Sequence, residues 1–135
     1  MITAIDTSVL IAISKQEADG DAWIGLLSDA RGAGSLVVCD VVVAEFYASS
    51  MSEIYVRRFL EDLDISYAET SQKAAFLAGE IFRKYRDKGG PRQHLIPDFL
   101  IAAHAQVDCD RLAAADRGYL RTWFPKLPLL DEHTK

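Results

Sequence analysis

Cysteine is scarce: Cys39 and Cys109 are the only two among 135 residues. They have neither a C-x-x-C spacing nor a histidine pattern that would complete a zinc site, which argues against a disulfide framework and against a structural zinc. Both are expected to be reduced thiols, Cys39 in a strand and Cys109 in a turn. Long apolar runs are missing as well. None approaches the roughly 20 residues that span a bilayer, and the N-terminus lacks the basic segment and small-residue cleavage site of a signal peptide. The expectation is a cytoplasmic protein without a membrane partner. A basic surplus is absent, with 15 Lys and Arg against 20 Asp and Glu for a net charge of −5. That excludes a passive nucleic-acid binder held by charge alone. It does not exclude a nucleic-acid substrate, because an acidic pocket loaded with divalent cations becomes attractive to phosphate. The one glycine cluster, Gly32-Ala33-Gly34, has neither the lysine of a P-loop nor dinucleotide-binding spacing. His94, His104 and His133 follow no ligand pattern, and His104, on an otherwise apolar helix, reads as a packing residue.

What is present is apolar and periodic. Half of the residues are hydrophobic, enough for one domain over residues 1–135 that buries roughly two-thirds of its unfolded surface. Met1–Ile5 reads as a buried strand and Val9–Ser14 as a helical run. Asp21–Ala30 carries Trp23, Leu26, Leu27 and Ala30 at helical spacing, and the glycine breaker leads into the strand Leu36–Cys39. Asp40 then stands where an N-cap is expected. Helices follow over Val41–Ser49 and Glu53–Leu63, a strand over Ile65–Tyr67, and an amphipathic helix over Ser71–Lys88 with Ala74, Leu77, Ala78, Ile81 and Tyr85 on its apolar stripe. Lys88-Gly89-Gly90-Pro91 stops that helix and Pro97 opens another to about Gln106. Leu112–Ala115 reads as a strand, Tyr119–Phe124 as a short helix and Leu127–Leu130 as a last strand. Alternating strands and helices imply right-handed crossovers, a mainly parallel central sheet and a three-layer α/β/α sandwich.

In open α/β sheets the functional crevice lies beyond the carboxyl ends of the strands. That rule sorts the aspartates. Asp6 follows the first strand and Asp116 the fourth, whereas Asp108 and Asp110 precede the fourth and belong to the opposite edge. Glu45 has Val41, Val42, Ala48 and Ser49 as helical neighbours, an apolar face that points it inward. Asp98 shares a face with Ile101, Ala102 and Ala105. Taken singly, each carboxylate has an ordinary reading: a helix cap for Asp6, a turn for Asp116, a first-turn dipole contact for Asp98, a marginal glutamate for Glu45. Four together at one edge are costly, since each pair at about 4 Å repels by roughly 4 kcal/mol at an effective dielectric of about 20. A hard divalent cation, Mg²⁺ or Mn²⁺, is the expected counterpart of an oxygen-only donor set.

Four segments, Ile5-Asp6-Thr7-Ser8, Val43-Ala44-Glu45, Ile96-Pro97-Asp98-Phe99-Leu100-Ile101-Ala102-Ala103 and Asp116-Arg117-Gly118-Tyr119, stand in an order and spacing that resemble the PIN-domain ribonucleases, in particular the VapC-like toxins of bacterial toxin-antitoxin pairs. The resemblance covers nearly the whole chain. It implies a Mg²⁺- or Mn²⁺-dependent endoribonuclease in which Asp6, Glu45, Asp98 and Asp116 are metal ligands and Ser8 helps to position water or phosphate. It further implies a homodimer and a small antitoxin partner. One departure is visible: Ala114 stands where members of the family often place threonine or serine. Arg83, Lys84, Arg86, Lys88 and Arg92 form a basic segment that either holds flanking RNA phosphates or is a solvated helix end. Trp23, Phe46, Tyr47, Tyr55 and Phe59 read as core residues, with a partner surface as the alternative. A dehalogenase-like phosphatase would want an aspartate at the position of Ser8 and a lysine after a late strand. A receiver-like module would want an acidic pair near the first strand, which Cys39-Asp40 imitates weakly. A degenerate fold of the same family acting only in binding is a further alternative.

Overall fold

Four short β-rich segments build the sheet: β1 (Ile2–Ile5), β2 (Ser35–Val38), β3 (Ile65–Tyr67) and β4 (Arg111–Ala113). Their interior positions are almost all buried, as expected of a parallel sheet covered on both faces, where strands read as continuous apolar runs. The computed structural model describes residues 1–130; His133 lies outside the described residues. All pairings are parallel and the strand order is β3-β2-β1-β4. The registers set Ala4 beside Val37 and Leu112.

The connections are helical: α1 (Thr7–Ser14) and α2 (Gly20–Ala33) from β1 to β2, α3 (Asp40–Ser50) and α4 (Glu53–Asp62) from β2 to β3, α5 (Gln72–Asp87) and α6 (Ile96–Asp108) from β3 to β4, and α7 (Gly118–Trp123) after β4. The first two connections step one way along the sheet and the third returns past β2 and β1. Right-handed crossovers therefore put α5 and α6 on the face opposite the earlier helices. The three-layer α/β arrangement expected from the sequence is the one observed. It creates a topological switch point between β1 and β4, where chain direction across the sheet reverses.

Helix α6 is the central support. Phe99, Ile101, Ala102, Ala103, His104 and Ala105 are all buried, and a helix apolar on nearly every side is an interior one. It packs on α5, α3, β1 and β4. His104 is 1% exposed, and burial lowers its pKa from the ordinary 6.5 despite the nearby Asp108 and Asp40.

Three local expectations differ from the structure. Cys39 occupies the cap of α3, and Asp40 is its first helical residue; the Asp40 carboxylate instead accepts bonds from the Thr70 amide and hydroxyl. Leu127–Leu130 forms a single parallel bridge, Leu112 to Leu129, not a strand. Pro128 lacks the N–H that would extend the ladder. Trp23 and Phe46 are core residues and Phe59 packs at the margin, but Tyr47 and Tyr55 are about two-fifths exposed. Both cysteines are free thiols, Cys39 just beyond β2 and Cys109 capping the end of α6.

Candidate active site

Beyond the carboxyl ends of β1 and β4 lies a cavity of about 200 Å³ lined by Asp6, Thr7, Ser8, Glu45, Asp98, Asp116 and Tyr119. Each of the four carboxylates arrives by a different element. Asp6 caps α1 directly after β1, and its Oδ2 accepts from the Ser8 amide at 3.0 Å and from the Ser8 hydroxyl. The capping reading of Asp6 and its place in the acidic cavity therefore coexist. The Ser8 hydroxyl also accepts from the Ala115 amide at 3.1 Å, and the Asp6 amide donates to the Ala113 carbonyl at 2.8 Å. These bonds lace the two loops of the switch point together.

Glu45 reaches the cavity from α3 because the Thr7 hydroxyl donates to its Oε1 at 2.6 Å. The expected apolar face around it holds only in part. Val42 is buried and Val41 half-buried, but Ala48 and Ser49 are exposed, so the threonine contact, not a buried stripe, accounts for where the carboxylate sits. Asp98 lies in the first turn of α6, where the helix dipole favours an anion, and accepts from the Leu95 amide at 3.2 Å. Its stripe partners Ile101, Ala102 and Ala105 are all buried. Asp116, on the loop from β4 to α7, is the most open of the four, with a side chain 65% exposed.

Electrostatics records the crowding. Burial raises the Asp6 pKa above its ordinary value; the two Ser8 donors oppose the rise, and the Asp98 and Glu45 charges add to it. Tyr119, which no sequence pattern marks as a site residue, walls the cavity. Burial pushes its phenol far up, and all four carboxylates add to the shift. His94, which showed no ligand spacing, sits at the rim with a side chain only 12% exposed. Its Nδ1 stands 3.4 Å from Asp98 Oδ2 and its Nε2 4.0 Å from Asp116 Oδ2. No sequence signal singled it out, because the contacts come from a loop folding back on α6.

The donor chemistry suits a hard divalent cation: four carboxylates and the hydroxyls of Thr7, Ser8 and Tyr119, with no sulfur among the lining residues. Among the described residues, no three acidic, histidine or cysteine side chains are already drawn together so as to hold an ion. The reason is visible in their partners, since Asp6 is turned to Ser8, Glu45 to Thr7, and Asp98 to Leu95 and His94.

The basic segment is not part of this cavity. Arg83 pairs with Asp87 at 3.7 Å and Lys84 with Glu80 at 3.6 Å along α5, Arg86 is half-buried on its last turn, and Lys88 and Arg92 are exposed in the connection to α6. A larger groove of about 600 Å³ runs between α3, α4 and β3. Its walls are mostly apolar, and its charged members are already engaged, Asp40 with Thr70 and Glu53 with Arg57. The smaller, acidic cavity is the one equipped for chemistry.

The family model described as PIN domain matches residues 3–124. No curated protein matches the chain at a significant level. Among solved structures, VapBC2 from Rickettsia felis bound to a DNA fragment from its promoter is 24% identical with a TM-score of 0.74, over 96% of this chain and 97% of that one. VapBC-1 from nontypeable Haemophilus influenzae is 18% identical with a TM-score of 0.72, over 97% and 98%. FitAcB from Neisseria gonorrhoeae is 19% identical with a TM-score of 0.61, over 97% of each chain. At these identities the likeness is one of fold.

Proposed function

The chain belongs to the PIN domain family, and from that premise we propose that it is a Mg²⁺- or Mn²⁺-dependent endoribonuclease, the toxin of a toxin-antitoxin pair. The observation that carries the proposal is the meeting of Asp6, Glu45, Asp98 and Asp116, from four separate elements, around one small cavity at the switch point of the sheet. A cluster so unfavourable in an empty state is best understood as a cation seat.

In this reading Asp6, Glu45, Asp98 and Asp116 hold the ion. When bound, it would supply acidified water and neutralise charge developing on the phosphate. The protein's own contribution is orientation. Ser8 holds Asp6 and ties it to the Ala115 amide, Thr7 holds Glu45, and the Leu95 amide holds Asp98. These donors place the carboxylates around the cavity without drawing them together, so seating an ion would turn some of them away from their present partners. Tyr119 excludes water from one wall. The Ser8 hydroxyl, committed to Asp6 and Ala115, acts by holding the loops together. Arg83, Lys84, Arg86 and Arg92 lie outside the cavity and belong to the reading only as contacts for RNA phosphates flanking the scissile bond.

The proposal extends to a single domain over residues 1–135, a homodimer, a cytoplasmic site of action and an antitoxin protein as partner. The structural neighbours described as VapBC assemblies support the last of these by analogy. No helix among the described residues is long and apolar enough to cross a membrane.

The test is cleavage of a mixed RNA pool by purified protein with Mg²⁺, Mn²⁺ or EDTA, beside Asp6→Asn and Asp98→Asn. Metal-dependent cutting that both substitutions abolish is the expected result. Cutting that survives in both variants, or in EDTA, would sink the assignment. RNA binding without cutting would favour a catalytically silent binding module.

A further inference from the structure

Between the end of α5 at Lys88 and Leu95 the chain forms a short strap that belongs to no helix or strand but is tightly attached. Gly89 takes a positive φ of +78°, the left-handed region that glycine enters without strain. Gly90 lies so close to Tyr85 that a Cβ there would come within 2.6 Å of the ring. The Tyr85 hydroxyl donates to the Pro91 carbonyl at 2.5 Å, and the Gly90 amide donates to the Tyr85 carbonyl at 2.8 Å. Tyr85 itself is 3% exposed and packs on Phe99 and Trp123. The strap is thus fastened to the core through one tyrosine. What it delivers is His94.

The His94 ring stacks on Tyr119, with centroids 4.1 Å apart and planes inclined by 24°, and meets Tyr85 edge-on. This aromatic seat fixes the plane of the imidazole and with it the direction of both nitrogens, one toward Asp98 and one toward Asp116. Those two carboxylates come from different elements, α6 and the loop after β4, and no hydrogen bond between the two joins them.

We infer that His94 is a positioning residue of the acidic site: seated by Tyr119 and by the strap on Tyr85, its imidazole spans Asp98 and Asp116 and sets their spacing for a divalent cation. The claim about the cation rests on the proposed metal-dependent activity; the claim about the two carboxylates does not. An outer partner of this kind is expected to change metal affinity by about tenfold or more when removed.

Two substitutions separate the ring from its nitrogens. His94→Phe keeps the aromatic seat and removes both nitrogens. His94→Asn loses the ring but keeps an amide where Nδ1 faces Asp98. Binding of Tb³⁺, an oxygen-preferring ion whose emission a tyrosine in the cavity sensitises, is titrated for wild type and both variants after circular dichroism has established that each is folded. The expected result is about tenfold weaker binding by His94→Phe, recovered in part by His94→Asn, which keeps the contact to Asp98 and gives up the one to Asp116. Equal affinity in His94→Phe would overturn the inference. Tighter binding would overturn it too, since the imidazole would then be competing with the ion. No recovery in His94→Asn relative to His94→Phe would reduce His94 to packing and overturn it likewise.

A second measurement stands apart from any metal. In the metal-free protein the side-chain ¹⁵N resonances of His94 should shift on Asp98→Asn, mainly at Nδ1, and on Asp116→Asn, mainly at Nε2. Unmoved resonances would overturn the spanning role. If wild type binds no Tb³⁺ while these shifts are present, the metal-dependent reading fails and the spanning role stands.

Discussion

The two ends of one four-stranded sheet are both lined with aspartates, and they do opposite things. At the amino end, Asp110 accepts from the Ile2 amide at 2.6 Å while its own amide donates to the Ile2 carbonyl at 2.9 Å. Asp108, the last residue of α6, accepts from the amide and hydroxyl of Ser71, the cap of α5 beyond β3, at 3.1 and 2.8 Å. Each of these carboxylates is matched to a donor on another element and faces no rival charge within its own hydrogen-bonding set. At the carboxyl end, Asp6, Glu45, Asp98 and Asp116 share one cavity. Asp6 and Asp98 take local donors and Glu45 the Thr7 hydroxyl of α1, and the Asp98 and Glu45 charges add to the rise that burial gives the Asp6 pKa. Backbone donors serve both sets, Ile2 and Ser71 for Asp110 and Asp108, Ser8 and Leu95 for Asp6 and Asp98; what sets the second apart is that its carboxylates share one cavity, the seat proposed above for a divalent cation.

The largest effect that would sharpen this contrast is on activity. Asp6→Asn and Asp98→Asn are expected to lower RNA cleavage by at least about 100-fold, measured as initial rate per folded molecule, whereas Asp108→Ala leaves that rate unchanged. Next comes stability, with the roles exchanged. Asp108→Ala removes the acceptor of both the amide and the hydroxyl of Ser71, the cap of α5, and should cost about 1–2 kcal/mol, seen as a lower Tm. Asp6→Asn in EDTA should raise Tm at pH 7.5 by roughly 2–4 °C, as about 1 kcal/mol would in a domain of this size.

The pH dependence of that gain follows from linkage. The folded Asp6 keeps its proton to higher pH than the unfolded chain does, so wild-type stability falls as pH rises from 3.8 through the raised folded pKa. The advantage of Asp6→Asn should therefore shrink on acidification; an advantage constant with pH would contradict the crowding argument. His104 has the opposite sign. Its folded pKa lies below 6.5, so the unfolded chain takes up the proton first, and stability present above pH 6.5 is lost as pH falls below it. In the Asp6→Asn background, where the opposing group is gone, thermal melts between pH 7.5 and 5 should show this decline, and His104→Gln should flatten it. The smallest expected effect concerns the basic segment: Arg86→Ala should lower the salt slope of RNA binding by about one charge equivalent. An unchanged slope would assign that helix end to solvent.

The contrast between the sheet ends was legible in the sequence because it depends on connectivity. Once Ile2–Ile5 and Arg111–Ala113 are strands, an aspartate after either must stand at the opposite end from one before it. The acidic residues at the carboxyl end could therefore be grouped without coordinates. Glu45 was grouped with them on an argument that holds only in part, since Ala48 and Ser49 are exposed and the contact that orients it comes from Thr7, 38 residues away. Asp40 shows the same limit. It has the residue type of a cap, yet Cys39 holds the cap position and Thr70, from another connection, claims its carboxylate.

The sequence by itself determined the alternation of strands and helices, the parallel sheet and the end of the sheet to which each aspartate goes, because hydrophobic period and chain direction are local properties that tertiary packing only assembles. Tertiary structure alone decided which partners the carboxylates find. The strap from Lys88 to Leu95 carries no periodic signal, and His94 reads as an isolated histidine until Tyr85 fastens the strap and Tyr119 fixes the ring beside Asp98 and Asp116. A side-chain contact across elements depends on distances of a few tenths of an ångström, and those exist only once the core has packed.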